Sequence, residues 1–129
     1  MIAIDTNLVI RYLIGDHAQQ TDRARAIIDG EMVFMPIAVT LEVEWVLRSI
    51  YRLPRLDCLT SIRDFAGLPT VIVDEAPIVA EALELSAGGM DFADALHLLK
   101  AQYCSSFATF DEKLVHYARD AGFAQVREA

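Results

Sequence analysis

Only two residues are cysteine, Cys58 and Cys104, and neither has a neighbouring cysteine or a metal-type spacing. A disulfide framework and a thiolate metal site are both excluded, and the two thiols read as small buried hydrophobes kept reduced. Apolar runs of membrane-spanning length are missing; that from Met32 to Val39 is short and contains Pro36. No basic segment precedes the first apolar residues and Asp5 interrupts them, so no signal peptide is expected. No membrane association and a cytoplasmic location follow as expectations. Internal repeats, low-complexity tracts and linkers are also absent. Positive charge is scarce: 11 basic residues against 19 acidic ones give a net charge of −8, the opposite of a general nucleic-acid-binding surface. Two things qualify that exclusion. The arginines are clustered, as Arg23 with Arg25 and as Arg48, Arg52 and Arg55. Carboxylates that ligate a metal are also locally neutralised by it. An acidic chain equally suits a basic protein partner.

What is present is apolar material, 54% of 129 residues, enough for a core and consistent with one domain over residues 1–129. Short apolar segments alternate with helical patterns, which predicts an α/β chain with a parallel sheet covered on both faces. Residues 1–5 form a first strand, the best candidate for the centre of the sheet. Leu8, Val9, Tyr12 and Leu13 carry helical spacing up to Gly15. Asp16 resembles the cap of a helix running to about Asp29, with His17 exposed at the same corner. Met32–Met35 reads as a strand, and Pro36 starts a long helix from about Ile37 to Tyr51. A helix over Arg55–Ala66, a strand over Thr70–Val73 and a helix capped by Asp74 follow. Asp91 opens a helix to about Tyr103, Ser106–Thr109 is a strand, and Asp111 opens a short helix before a weak strand over Phe123–Val126.

The chemistry lies in the acids. Asp5 closes the first strand at the edge where α/β proteins place their sites, and it can equally cap the next helix. Asp111 stands the same way after its strand, with Thr109 placed to hydrogen-bond a ligating carboxylate. Glu42 falls among Ala38, Val39, Trp45 and Val46, an apolar stripe where a bare carboxylate is costly. Glu44 falls beside Thr40, Leu41, Leu47 and Arg48, which predicts a partly solvated face and an ion pair with Arg48. Asp91 and Asp94 share one face, with Asp91 as cap and His97 further along as a core histidine or a supporting donor. Four carboxylates, Asp5, Glu42, Asp94 and Asp111, without a histidine or cysteine cluster select a hard cation, Mg²⁺ or Mn²⁺.

Four motifs carry a resemblance: Ile4-Asp5-Thr6-Asn7; Glu42 followed by Trp45-Val46-Leu47-Arg48; Asp91-Phe92-Ala93-Asp94-Ala95-Leu96-His97; and Ala108-Thr109-Phe110-Asp111. Together, in this order, the chain resembles PIN-domain ribonucleases, most closely the VapC toxins of bacterial toxin–antitoxin pairs. The resemblance implies a three-layer α/β/α fold with a central parallel sheet of four to five strands. It implies an acidic site of Asp5, Glu42, Asp94 and Asp111, supported by Asp91, Thr6, Asn7 and Thr109. It further implies a homodimer, a VapB-type antitoxin as partner, and structured RNA, tRNA among it, as substrate.

The expected activity is hydrolysis of RNA phosphodiesters with Mg²⁺ (Mn²⁺ substituting), with Arg48 and Arg52 meeting RNA phosphates. Two rivals stand beside it. One is a phosphatase of the haloacid dehalogenase type, whose strand-end Asp needs a second Asp two residues on; that position holds Asn7. The other is a catalytically inactive PIN-like module that keeps its acids as caps and binds a protein.

Overall fold

The computed structural model describes residues 1–129 as twelve elements in chain order. They are β1 (Ile2–Ala3), α1 (Thr6–Ile14), α2 (Ala18–Gly30), β2 (Val33–Met35), α3 (Ile37–Ser49), α4 (Arg55–Ala66), β3 (Val71–Val73), α5 (Ala76–Ala87), α6 (Phe92–Lys100), β4 (Phe107–Thr109), α7 (Glu112–Asp120) and β5 (Val126–Glu128). All strand pairings are parallel, and helices separate the strands, giving the expected α/β/α layering. No helix is long and apolar enough to cross a membrane.

The five strands form two sets, β1-β2-β3 and β4-β5. Ile2 pairs with Val33 and Phe34 with Ile72, so β2 is the middle strand of the first set. Its Val33 and Met35 are buried, whereas Ile2 and Ala3 are exposed. The expected central place of the first strand is therefore corrected: β1 is an edge. It pairs with β2 alone, Ile2 N–H and Ile4 N–H donating to the Met32 and Phe34 carbonyls, before Asp5 turns the chain into α1.

Local signals set most helix ends. Asp5 Oδ1 accepts from Leu8 N–H at 3.0 Å, a cap worth about 1 kcal/mol, and Gly15 closes α1 at φ +71°, a left-handed position that glycine adopts without strain. Two expected caps are corrected. His17, not Asp16, caps α2, its Nδ1 accepting from Gln20 N–H at 3.1 Å. Asp16 is drawn away by the Tyr51 hydroxyl, which donates to it at 2.9 Å. Asp74 does not cap α5; its Oδ2 accepts from Ile37 N–H at 3.0 Å, capping α3 from across the sheet. That bond fills an orphan donor which Pro36 has no side-chain means to satisfy.

The core is one continuous cluster. It includes Ile4, Val9 and Ile10 near the first strand, Val43, Leu47, Cys58, Ile62 and Phe65 from α3 and α4, and Leu83, Phe92, Leu96 and Leu99 from α5 and α6. Cys58 is buried as expected, and burial pushes its thiol pKa up, with Glu44 second. Cys104, expected buried, is exposed, because α6 ends at Lys100 and leaves it in the following turn. The last strand is displaced to Val126–Glu128, with Phe123 tucked into the core as a turn residue instead.

Candidate active site

Asp91, Asp94 and Asp111 line one concavity of about 280 Å³. Each is placed by ordinary local chemistry. Asp91 caps α6, its Oδ2 accepting from Asp94 N–H at 3.1 Å, so Asp94 stands in the first turn facing the same way. Asp111 caps α7, its Oδ1 accepting from Lys113 N–H at 2.9 Å and Leu114 N–H at 3.1 Å. Thr109, expected to bond that carboxylate, supports it through the backbone: its hydroxyl accepts from Asp111 N–H at 3.0 Å. The capping role and the site role thus coexist, since each cap uses one carboxylate oxygen.

Asp94 differs from its neighbours. It is half-buried, and no protein donor reaches its carboxylate. Desolvation, then the charges of Asp91 and Asp111, push its pKa above the usual carboxylate value, against a smaller opposing effect of His97. His97 itself is exposed, neither core nor hydrogen-bonded.

The wall of this concavity adds Lys113 and Tyr117, for which the sequence suggested no role, to Arg55 of the arginine cluster. Lys113 and Arg55 line it without an ion-pair partner in the protein, and Tyr117 closes one side. Gly89 sits under that ring at φ +120°, where an added Cβ would lie 2.9 Å from Tyr117 Cε1. In the sequence Lys113 is marked only by its place two residues after a strand-end acid.

The other expected residues stand apart. Asp5 and Asn7 line a separate concavity of about 340 Å³ between α1 and α2; Asp5 is exposed, and Thr6 is buried beneath the helix start. Glu42 lines a third, of about 500 Å³ between α3 and α6, which shares Asp91 with the first. Here the rotation of α3 corrects the sequence reading. Glu42 is exposed and Glu44 is 4% exposed, the reverse of the expectation. Glu44 tolerates burial because Arg48 Nε donates to its Oε2 at 2.8 Å and Arg48 Nη2 to its Oε1 at 3.2 Å. The expected Glu44–Arg48 pair is thus present, on the inner side of the helix. The Arg48 guanidinium lies 3.9 Å from Asp91 Oδ1, so an arginine expected to meet RNA is engaged by two acids of its own chain. Arg52 is exposed at φ +56°.

Carboxylate oxygens alone fit a hard divalent cation in donor type. They do not form a closed ligand set, because no three Asp, Glu, His or Cys side chains come close enough together to hold an ion. Asp91, Asp94 and Asp111 share one concavity, the hollow of Glu42 shares Asp91 with it, and Asp5 lies in a separate hollow with no lining residue in common. The PIN domain family matches residues 2–120.

This chain belongs to the PIN-domain family. The match takes in every acid discussed and ends with α7, before β5. PIN domains are generally nucleases and typically use divalent metal ions. No curated protein matches the chain. In this PIN domain Asp5, Asp91 and Asp111 stand at helix starts, Asp94 in a first turn and Glu42 within α3.

Proposed function

We propose that this PIN domain, a single domain over residues 1–129, is a Mg²⁺-dependent endoribonuclease. In this reading it is the VapC-type toxin of a type II toxin–antitoxin system, cytoplasmic and homodimeric, and neutralised by a VapB-type antitoxin. The substrate is RNA, with tRNA the first candidate. The observation that carries the nuclease reading is Asp94: a half-buried carboxylate without a donor, set against two more carboxylates. Such repulsion costs stability and is relieved by a cation.

Asp94 and Asp111 are the leading ligands, with Asp91 behind them; Asp5 and Glu42 belong to the acidic set that the family resemblance implies, and each lines another hollow. A bound Mg²⁺ (or Mn²⁺) supplies a water of lowered pKa and charge neutralisation at the scissile phosphate. The protein's own groups do the rest. Thr109 and the α7 backbone fix Asp111, Asp91 fixes the start of α6, and Lys113 and Arg55 offer cations at the mouth to a phosphodiester.

RNA cleavage assayed with and without Mg²⁺, on the parent and on Asp94→Asn and Asp5→Asn, tests the reading. Metal-dependent cutting that both variants lose while staying folded is the expected result. A parent that neither cuts RNA nor takes up Mn²⁺ at millimolar levels leaves the second reading, a catalytically inactive interaction module. That alternative is favoured by one observation: Asp5, Asp91 and Asp111 all serve as helix caps. A small adjacent reading frame encoding a DNA-binding segment would support the toxin assignment.

A further inference from the structure

The α1–α2 concavity that holds Asp5 has a second feature. Its lining carries two guanidiniums, Arg11 and Arg23, in a chain whose net charge is −8. Their states differ. Arg11 is immobilised: its Nε donates to Gln20 Oε1 at 2.7 Å, and its Nη1 lies 3.4 Å from both Asp16 Oδ1 and the Tyr51 hydroxyl. Asp16 therefore offsets much of its charge. Arg23 is exposed, takes part in no hydrogen bond and has no ion pair, so its whole donor fork is available. Asp5 is the one carboxylate of the lining, and its Oδ1 is turned to Leu8 N–H. Below the charges lies an apolar floor of Leu8, Ala24 and Ile27. A planar cationic fork over an apolar floor suits a phosphate with its sugar and base, and about 340 Å³ has room for one nucleotide unit.

We propose that this concavity is a subsite for an RNA strand, with Arg23 holding a backbone phosphate and Arg11 a fixed wall of the same pocket. The inference rests on the nuclease reading for its substrate, and it moves the phosphate contact from Arg48 to Arg23. Glu44 and Asp91 already engage Arg48, whereas nothing in the chain competes for Arg23.

The test measures binding of a labelled short single-stranded RNA to the full chain carrying Asp94→Asn, by fluorescence anisotropy across a salt series. Arg23→Gln is expected to weaken binding by about tenfold and to lower the salt slope by about 0.7, the share of one single-strand phosphate. Arg23→Lys restores most of the slope. Arg63→Gln, an equal loss of charge at an exposed site on α4, leaves affinity within about twofold of the parent. In the cleaving protein, Arg23→Gln raises KM more than it lowers kcat. Equal effects of the Arg23 and Arg63 changes would overturn the subsite, as would displacement of the RNA by a free mononucleotide at comparable concentration. Metal-dependent cutting with an unchanged KM in Arg23→Gln sinks the subsite alone. Arg23-dependent binding without cutting sinks the nuclease reading alone. Failure of the chain to bind RNA at all sinks both.

Discussion

Two carboxylates of this PIN domain, one on α3 and one on α6, show opposite treatments of buried charge. Glu44 is nearly buried, and both its oxygens accept from Arg48. Asp94 is less buried, yet receives no donor and faces Asp91 and Asp111. The first arrangement satisfies a charge within the fold. The second leaves one without a protein donor, partly desolvated and set against two like charges. Carboxylates perturbed in that way concentrate at functional sites, where stability is given up for chemistry. The concave wall around Asp94, with unpaired Lys113 and Arg55, has the same character; the face around Glu44 does not.

The largest expected effect comes from removing the unsatisfied charge. Asp94→Asn lowers RNA cleavage on the order of a hundredfold or more, while in chelator it leaves thermal stability unchanged or slightly raised. The same change abolishes the rise in Tm that Mn²⁺ gives the parent by mass action. A clear loss of stability in Asp94→Asn would erase the contrast with Glu44.

Next comes the satisfied charge. Arg48→Met strands Glu44 without a partner and costs about 2 kcal/mol in urea unfolding, discounted from the fully buried case because Arg48 is partly exposed. Asp91 also loses a neighbouring cation there, so Mn²⁺ affinity is kept or slightly raised, opposite to Asp94→Asn. An unfolding midpoint within error of the parent would show that Glu44 is not held by this pair.

A subtler expectation concerns Cys58, which lies in the Glu44 region. Burial first, and Glu44 second, raise its thiol pKa in the folded state. The folded chain therefore holds that proton more tightly than the unfolded one, and the associated stability is intact below the unfolded thiol's pKa. It is lost as pH rises through the window between the unfolded and folded values. Cys58→Ala removes this alkaline slope along with some packing. Thiol titration of the native protein at neutral pH modifies Cys104, which is exposed, and reaches Cys58 only on unfolding. Rapid native modification of both thiols would contradict the burial of this region.

The smallest effect belongs to Glu42. Exposed on α3, it changes stability by less than about 0.5 kcal/mol when replaced by Ala. Equal destabilisation by Glu42→Ala and Glu44→Ala would mean that α3 is rotated from the orientation described.

Much of the site was legible because caps and strand ends are local devices. Asp5, Asp91 and Asp111 each bond an N–H two or three residues on, and those spacings can be read along the chain. The order of strands and helices followed from apolar period and from Gly15 and Pro36 in the same way. The failures are equally specific. Glu42 and Glu44 are two residues apart, about 200° around a helix, and the apolar stripe of α3 is broad enough to accept either rotation. Arg48 decided it by supplying an inward partner for Glu44. Asp74 read as the cap of α5 because its true partner, Ile37 N–H, is far away in sequence. The Arg23 hollow was invisible because it takes two helices packed together to form it.

The sequence by itself determined the alternation of elements, the positions where helices begin, and the residue types that could hold a hard cation, since each depends on neighbours within a few residues. Only the tertiary structure decided which charges are neutralised and which acids share a hollow. Those outcomes depend on groups that meet across the sheet and between helices, and the desolvation that separates a paired Glu44 from an unpaired Asp94 exists only once the chain is packed.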